Sequence, residues 1–138
     1  MKYEHMEPAR FVSRSNRFVA YVEQNGQQEI CHVKNTGRCK ELLLPGAELY
    51  VQRSDNPARK TALDLVSVKK GKQWVNMDSQ APNKVVAEWL KAGGLGMTDI
   101  FVKPECKYEN SRFDFYLEYA GRKAFMEVKG VTLEEDGV

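Results

Sequence analysis

The 138-residue sequence predicts a mixed fold: a five-stranded β-barrel of the OB type over residues 1–80, followed by an α+β unit over residues 81–138. Short runs rich in β-branched and aromatic residues, each bounded by turn signals, fill the first part. A proline-headed amphipathic stretch that ends on two glycines comes next. Two alternating runs joined by a glycine turn then follow near the end.

Residues 18–23 and 29–33 flank Asn25-Gly26, which suits a tight hairpin turn because both central positions need positive φ. Pro45-Gly46 introduces a strand over 47–51, a fourth covers 63–68, and a fifth, 74–77, follows Lys70-Gly71-Lys72. Strands of this number and length suit a small closed barrel, with OB ahead of an SH3-like alternative. Phe11, Phe18, Tyr21, Tyr50 and Trp74 are expected to fill it, since a small barrel needs large side chains. Pro82 heads a helix over 83–92, whose apolar positions are Val85, Val86, Trp89 and Leu90, with Gly93-Gly94 beyond its end. Strands resume at 100–108, 112–117 and 124–129. By alternation Phe113, Phe115 and Leu117 share one face, and Asp114 projects from the other beside Arg112 and Tyr116.

Hydrophobic residues make up 42% and charged residues 29%, which fits a globular protein and is too polar for a membrane span. By size the chain can bury roughly two-thirds of its unfolded surface. No apolar run follows a basic start, so a cytoplasmic location and no membrane association are expected. Cys31, Cys39 and Cys106 form an odd set without metal-ligand spacing and are expected as reduced thiols. Residues 1–80 hold 13 Lys/Arg against 9 Asp/Glu, and residues 81–138 hold 8 against 10. A basic first part beside an acidic second part fits a binding module joined to a metal-binding one.

Pairing of 112–117 with 124–129 through the turn around Ala120-Gly121-Arg122 brings Asp114 across from Glu127, with Lys129 in reach. Two carboxylates suit a hard cation such as magnesium or manganese, and a nearby ammonium can orient water for attack on phosphorus. Half-exposed strands commonly carry such alternating charges, and taken alone these three residues fit that reading better.

The surrounding sequence resembles a known family. Residues 11–18 (Phe-Val-Ser-Arg-Ser-Asn-Arg-Phe), Asn35-Thr36-Gly37-Arg38 with Lys40-Glu41-Leu42-Leu43, and Ser54-Asp55-Asn56-Pro57 with Arg59-Lys60-Thr61 are similar to the sugar fermentation stimulation protein A (SfsA) family. Trp74-Val75-Asn76, residues 110–115 (Asn-Ser-Arg-Phe-Asp-Phe) and residues 127–133 (Glu-Val-Lys-Gly-Val-Thr-Leu) continue the match to the last residues. The resemblance implies an OB fold joined to a domain like the PD-(D/E)xK nucleases, in DNA-binding proteins linked to transcriptional regulation of sugar (maltose) utilisation. It implies Asp114 and Glu127 as the acids and Lys129 as the lysine of the nuclease pattern, the Val128 carbonyl as a further ligand of magnesium or manganese, and Glu88 as a helix glutamate. Family members continue past this point with a Phe-Pro-Asp-Ala segment and a further helix. Because this chain stops at Asp136-Gly137-Val138, its nuclease-like unit is expected to be incomplete and without turnover.

For the first unit the expected nucleic-acid contacts are Arg14, Asn16, Arg17, Lys34, Asn35, Thr36, Arg38, Lys40, Arg53, Asn56, Arg59 and Lys60. The cations would meet phosphates, and the amides and hydroxyl would meet phosphates or base edges. Without the resemblance they also fit ordinary turns and surface charge. Three functions stay open: a regulatory module binding single- or double-stranded DNA, an active metal-dependent DNA phosphodiesterase, and an RNA- or protein-binding adaptor without metal. A homo-oligomer is also open.

Overall fold

A computed structural model describes residues 1–133, 135 and 136, and the chain end at Gly137 and Val138 lies outside the described residues. Gln80–Gly130, with Met1, forms one compact unit; Lys2–Ser79 forms the other, and the segment after Gly130 groups with it.

In the barrel unit, β1 (Met6–Arg14), β2 (Val19–Gln24), β3 (Gln27–Val33), β4 (Glu48–Arg53), β5 (Leu63–Lys70) and β6 (Gln73–Asn76) pair in the order β3-β2-β1-β4-β5-β6. A parallel contact between β3 and β5, Cys31↔Leu63 to Val33↔Leu65, closes β1 to β5 into a barrel. This closure is the OB arrangement, and the SH3-like alternative falls. The β2–β3 turn is as expected: Gln24 pairs with Gln27, and Asn25 and Gly26 take φ of 51° and 76°.

The five barrel strands are not the five predicted. β1 replaces the run at 74–77, which instead forms β6 and pairs only with β5 as a hairpin extension. Pro8 hides β1 in the sequence because proline lacks a ladder donor. The structure accommodates it opposite Tyr50 of β4, with Ala9 and Phe11 buried and a register shift between Phe11 and Ser13. The core is aliphatic: Val22, Cys31, Val33, Leu49, Val51, Leu63, Leu65, Val68 and Met77 are fully buried. Of the expected aromatic fillers only Phe11 is inside. Phe18 is 56% exposed, and Tyr50 and Trp74 form an exposed ring pair with centroids 4.7 Å apart.

The second unit packs α1 (Ala81–Lys91) against one face of an antiparallel sheet in the order β7-β8-β9, with β7 Phe101–Tyr108, β8 Ser111–Tyr119 and β9 Arg122–Met126. Leu90, Phe115 and Leu117 form its buried centre, joined by Val86, Ala87, Val102, Ala124, Met126 and Val128. The helix turns a different stripe inward than predicted. Val86, Ala87 and Leu90 face the core, whereas Val85 and Trp89 are exposed. Gly94 follows from this: a Cβ there would lie 2.1 Å from the Trp89 ring.

Phe113 also departs from the alternation. The β7–β8 ladder skips the Glu105/Asp114 pair, where Glu105 takes φ of 55°. Across that skip Phe113 stacks on Phe125 at 4.7 Å, within an aromatic group that includes Tyr108 and Tyr116, instead of joining Phe115 and Leu117. Asp114 correspondingly reaches a residue of α1.

Candidate nucleic-acid interface and metal centre

On the barrel unit, Phe11, Arg14, Asn16, Arg17, Arg38, Lys40 and Leu43 line a groove of about 430 Å³. Phe11 and Leu43 are its buried apolar members, and Arg17, Arg38 and Lys40 are exposed. Among the described residues these three cations make no side-chain hydrogen bond or ion pair, and no acidic side chain lines the groove. A cleft of one sign with a low-dielectric wall concentrates the field that attracts a polyanion.

Arg14 does something else. Its Nη1 donates to the carbonyls of Gly37 at 2.6 Å and Arg38 at 3.0 Å, and its Nη2 to those of Arg17 at 2.7 Å and Asn35 at 2.6 Å. One guanidinium thus ties the loop after β1 to the loop after β3. Its Nε is buried without a partner among the described residues. Two asparagines finish the same loops: Asn16 Oδ1 accepts the Phe18 and Val19 amides at 2.8 and 3.0 Å, and Asn35 Oδ1 accepts the Gly37 amide at 2.8 Å. Thr36 is exposed between them.

The remaining barrel residues split into two sorts. Lys60 is exposed and, among the described residues, makes no side-chain hydrogen bond or ion pair. Arg53 is engaged by Glu7, with Nε 2.7 Å from Oε2 and Nη2 2.9 Å from Oε1, and also reaches Gln24. These bonds hold the Glu7 carboxyl below its ordinary pKa. Asn56 Oδ1 accepts the Ala58 amide at 3.0 Å, closing a local turn. Lys34 and Arg59 converge with His32 on Asp64, a buried aspartate absent from the sequence-based set. Its signal is a charged residue inside the apolar run Leu63-Asp64-Leu65-Val66, where burial demands cationic partners.

In the second unit the structure brings Asp114, Glu127 and Lys129 to one end of the sheet. The β8–β9 ladder ends at Phe115↔Met126, and Glu127 follows immediately beyond the end of β9. Asp114 Oδ2 accepts the Val128 amide at 2.6 Å, and Oδ1 accepts Asn83 Nδ2 at 3.0 Å. Glu127 is exposed and ion-paired to Lys129. That hydrogen bond, with the Glu127 charge and a smaller contribution from Asp114, raises the Lys129 pKa. Glu88 lies on the exposed side of α1, paired with the Met1 amine. The helix residue that reaches Asp114 is Asn83, which sequence reasoning missed because no local pattern marks that tertiary contact.

The donor types fit a hard cation, which is commonly held by one or two carboxylates and keeps several waters. Among the described residues no group of three or more His, Cys, Asp or Glu side chains converges, so any such ion would rest on Asp114, Glu127 and non-carboxylate oxygens. The three cysteines are free thiols, Cys31 and Cys39 buried. Among the described residues no helix is long and apolar enough to cross a membrane.

Known proteins match both units. Residues 12–77 match the model of the SfsA N-terminal OB domain, and residues 80–138 match that of the sugar fermentation stimulation protein RE domain. A sugar fermentation stimulation protein homolog of Ruminiclostridium cellulolyticum is 58% identical over 138 residues, all of this chain and 61% of that protein. The homolog of Clostridium beijerinckii is 56% identical over the same span, again 61% of its length. The solved structure of Pyrococcus furiosus SfsA in complex with Ca2+ superposes with a TM-score of 0.86 at 26% identity, covering 98% of this chain and 58% of that one. The chain therefore spans about three-fifths of the length of the relatives it matches. With both units matched in order along nearly the whole chain, it belongs to the sugar fermentation stimulation protein (SfsA) family.

Proposed function

We propose that the barrel unit binds DNA through the groove rimmed by Arg17, Arg38 and Lys40. The observation that carries this reading is that three exposed cations without ion-pair partners stand over an apolar wall with no acid among the lining residues. An internal salt-bridge network would have neutralised them. The OB topology supports it, since such barrels commonly present loops and one sheet face to oligonucleotides. We read this binding as serving a regulatory role in sugar utilisation, maltose included, as the family resemblance implies. Arg38→Glu and Lys40→Glu should each weaken binding to unrelated DNA sequences alike, because phosphate contacts carry no sequence information. Sequence-selective loss, or none, would sink the proposal.

A second reading concerns the other unit, and the bond from the Val128 amide to Asp114, which holds the segment carrying Glu127 and Lys129 beside that carboxylate, favours it. Asp114 and Glu127, with the Val128 carbonyl, would hold magnesium or manganese, which would supply charge stabilisation at a phosphodiester. The calcium in the Pyrococcus furiosus SfsA structure supports a cation in this fold. Asn83 and the Val128 amide fix the orientation of the Asp114 carboxylate, and the Lys129 ammonium can hold a phosphate oxygen or a water. Manganese titration should show binding that Asp114→Ala removes and Lys129→Ala largely keeps, since an ammonium does not ligate a cation. Equal binding by wild type and Asp114→Ala would place the ion elsewhere.

A further inference from the structure

Asp64 sits at the seam where β3 and β5 close the barrel, paired across it with His32 and only 5% exposed. Arg59 grips it with both terminal nitrogens, Nη1 2.9 Å from Oδ2 and Nη2 2.7 Å from Oδ1. Lys34 Nζ lies 3.6 Å from Oδ2, and His32 Nδ1 3.4 Å from Oδ1. One permanent cation would balance this carboxylate. Two are present, so the cluster keeps a surplus positive charge even with His32 neutral. Neither cation is sealed in: the side chains of Lys34 and Arg59 are 20% and 30% exposed. Arg59 engages Asp64 through two of its five N–H groups, and an ammonium has three, so both retain donors for an outside acceptor. None of these residues lines the groove described above.

We propose that Lys34 and Arg59, held in place by buried Asp64, form a preset seat for one phosphodiester group of bound nucleic acid, with Asp64 as its positioning residue. This rests on the DNA-binding reading and adds to it a second contact at the β3–β5 seam. Free lysine and arginine side chains lose rotamer freedom when they capture a phosphate; here folding has already fixed them, so less is lost on binding. Asp64 thus aids the binding of a polyanion although it is itself an anion.

The sign of the effect makes the test sharp. Removing a negative charge should, by Coulomb attraction alone, tighten DNA binding. If Asp64 positions the two cations, Asp64→Asn in the 138-residue chain should instead lose about tenfold in affinity, and the log–log salt dependence should become shallower by about one as that phosphate contact loosens. Arg59→Lys preserves charge but cannot make the two-pronged bond; it should lose affinity in the same direction, and it carries the test alone if Asp64→Asn does not fold. Unchanged or tighter binding, with an unchanged salt slope, in a variant whose circular dichroism is native would overturn the seat. Failure of wild type to bind DNA would bring down the DNA reading and the seat together. Loss in Arg38→Glu but not in Asp64→Asn or Arg59→Lys would bring down the seat alone.

Discussion

Arg14 looks in the sequence like one more phosphate contact, and the structure gives it four backbone carbonyls instead. The difference is measurable because Arg14→Lys conserves charge. A lysine cannot span four carbonyls from one fixed plane, so the variant should lose about 1–3 kcal/mol of stability. A thermal melt reads the loss; a melt unchanged from wild type would mean the carbonyl cage is incidental. Asp64 gives a pH prediction. Burial alone would raise its carboxyl pKa, but the Arg59 hydrogen bonds and the charges of Lys34 and Arg59 outweigh burial and leave it below the ordinary value. A carboxyl depressed in the folded state contributes stability that is fully present above its unfolded pKa of about 3.9. That contribution is lost as pH falls through the lower folded value. Asp64→Asn should therefore cost about 1–3 kcal/mol near neutrality and shrink in cost with acid. A cost independent of pH would show that packing, not charge, is what Asp64 supplies.

Among the elements, what could be read from the sequence was what is local. Asn25-Gly26 announces its hairpin because the turn needs two positive φ values at adjacent positions, and those residue types tolerate them. β1 was hidden because Pro8 and a register shift break its pattern, while its strand character comes from β2 and β4 on either side. Strict alternation puts Phe113 on the wrong face because alternation holds only while the ladder is unbroken, and it skips at Glu105/Asp114. The two glycines beyond α1 mark a helix stop in the sequence, and Gly94 also leaves room for the Trp89 ring. Two alanine substitutions separate these causes. Gly26→Ala meets nothing within 4 Å and should cost only backbone strain, about 1 kcal/mol. Gly94→Ala must displace an indole and should cost more, with a change in tryptophan fluorescence that Gly26→Ala does not produce. Equal costs and unchanged spectra would mean that Trp89 moves away freely.

At the scale of the whole molecule, the family and the two-part order were legible because the motifs run collinearly along the chain. Which cations stand without a protein partner was not. Arg14, Lys34, Arg53 and Arg59 have the same composition signature as Arg17, Arg38, Lys40 and Lys60, and only tertiary partners tell the two groups apart. Asn83, which orients Asp114, comes from another element and carries no local mark in the sequence. The central claim is that a one-signed groove on the barrel binds the phosphate backbone. Its most direct test is the affinity of the 138-residue chain for a random-sequence DNA as a function of salt. The three groove cations should contribute about −3 to the log–log slope on duplex, or somewhat less on a single strand, and Arg38→Glu should reduce the slope by at least about one. An affinity that stays flat from low to physiological salt would contradict the account.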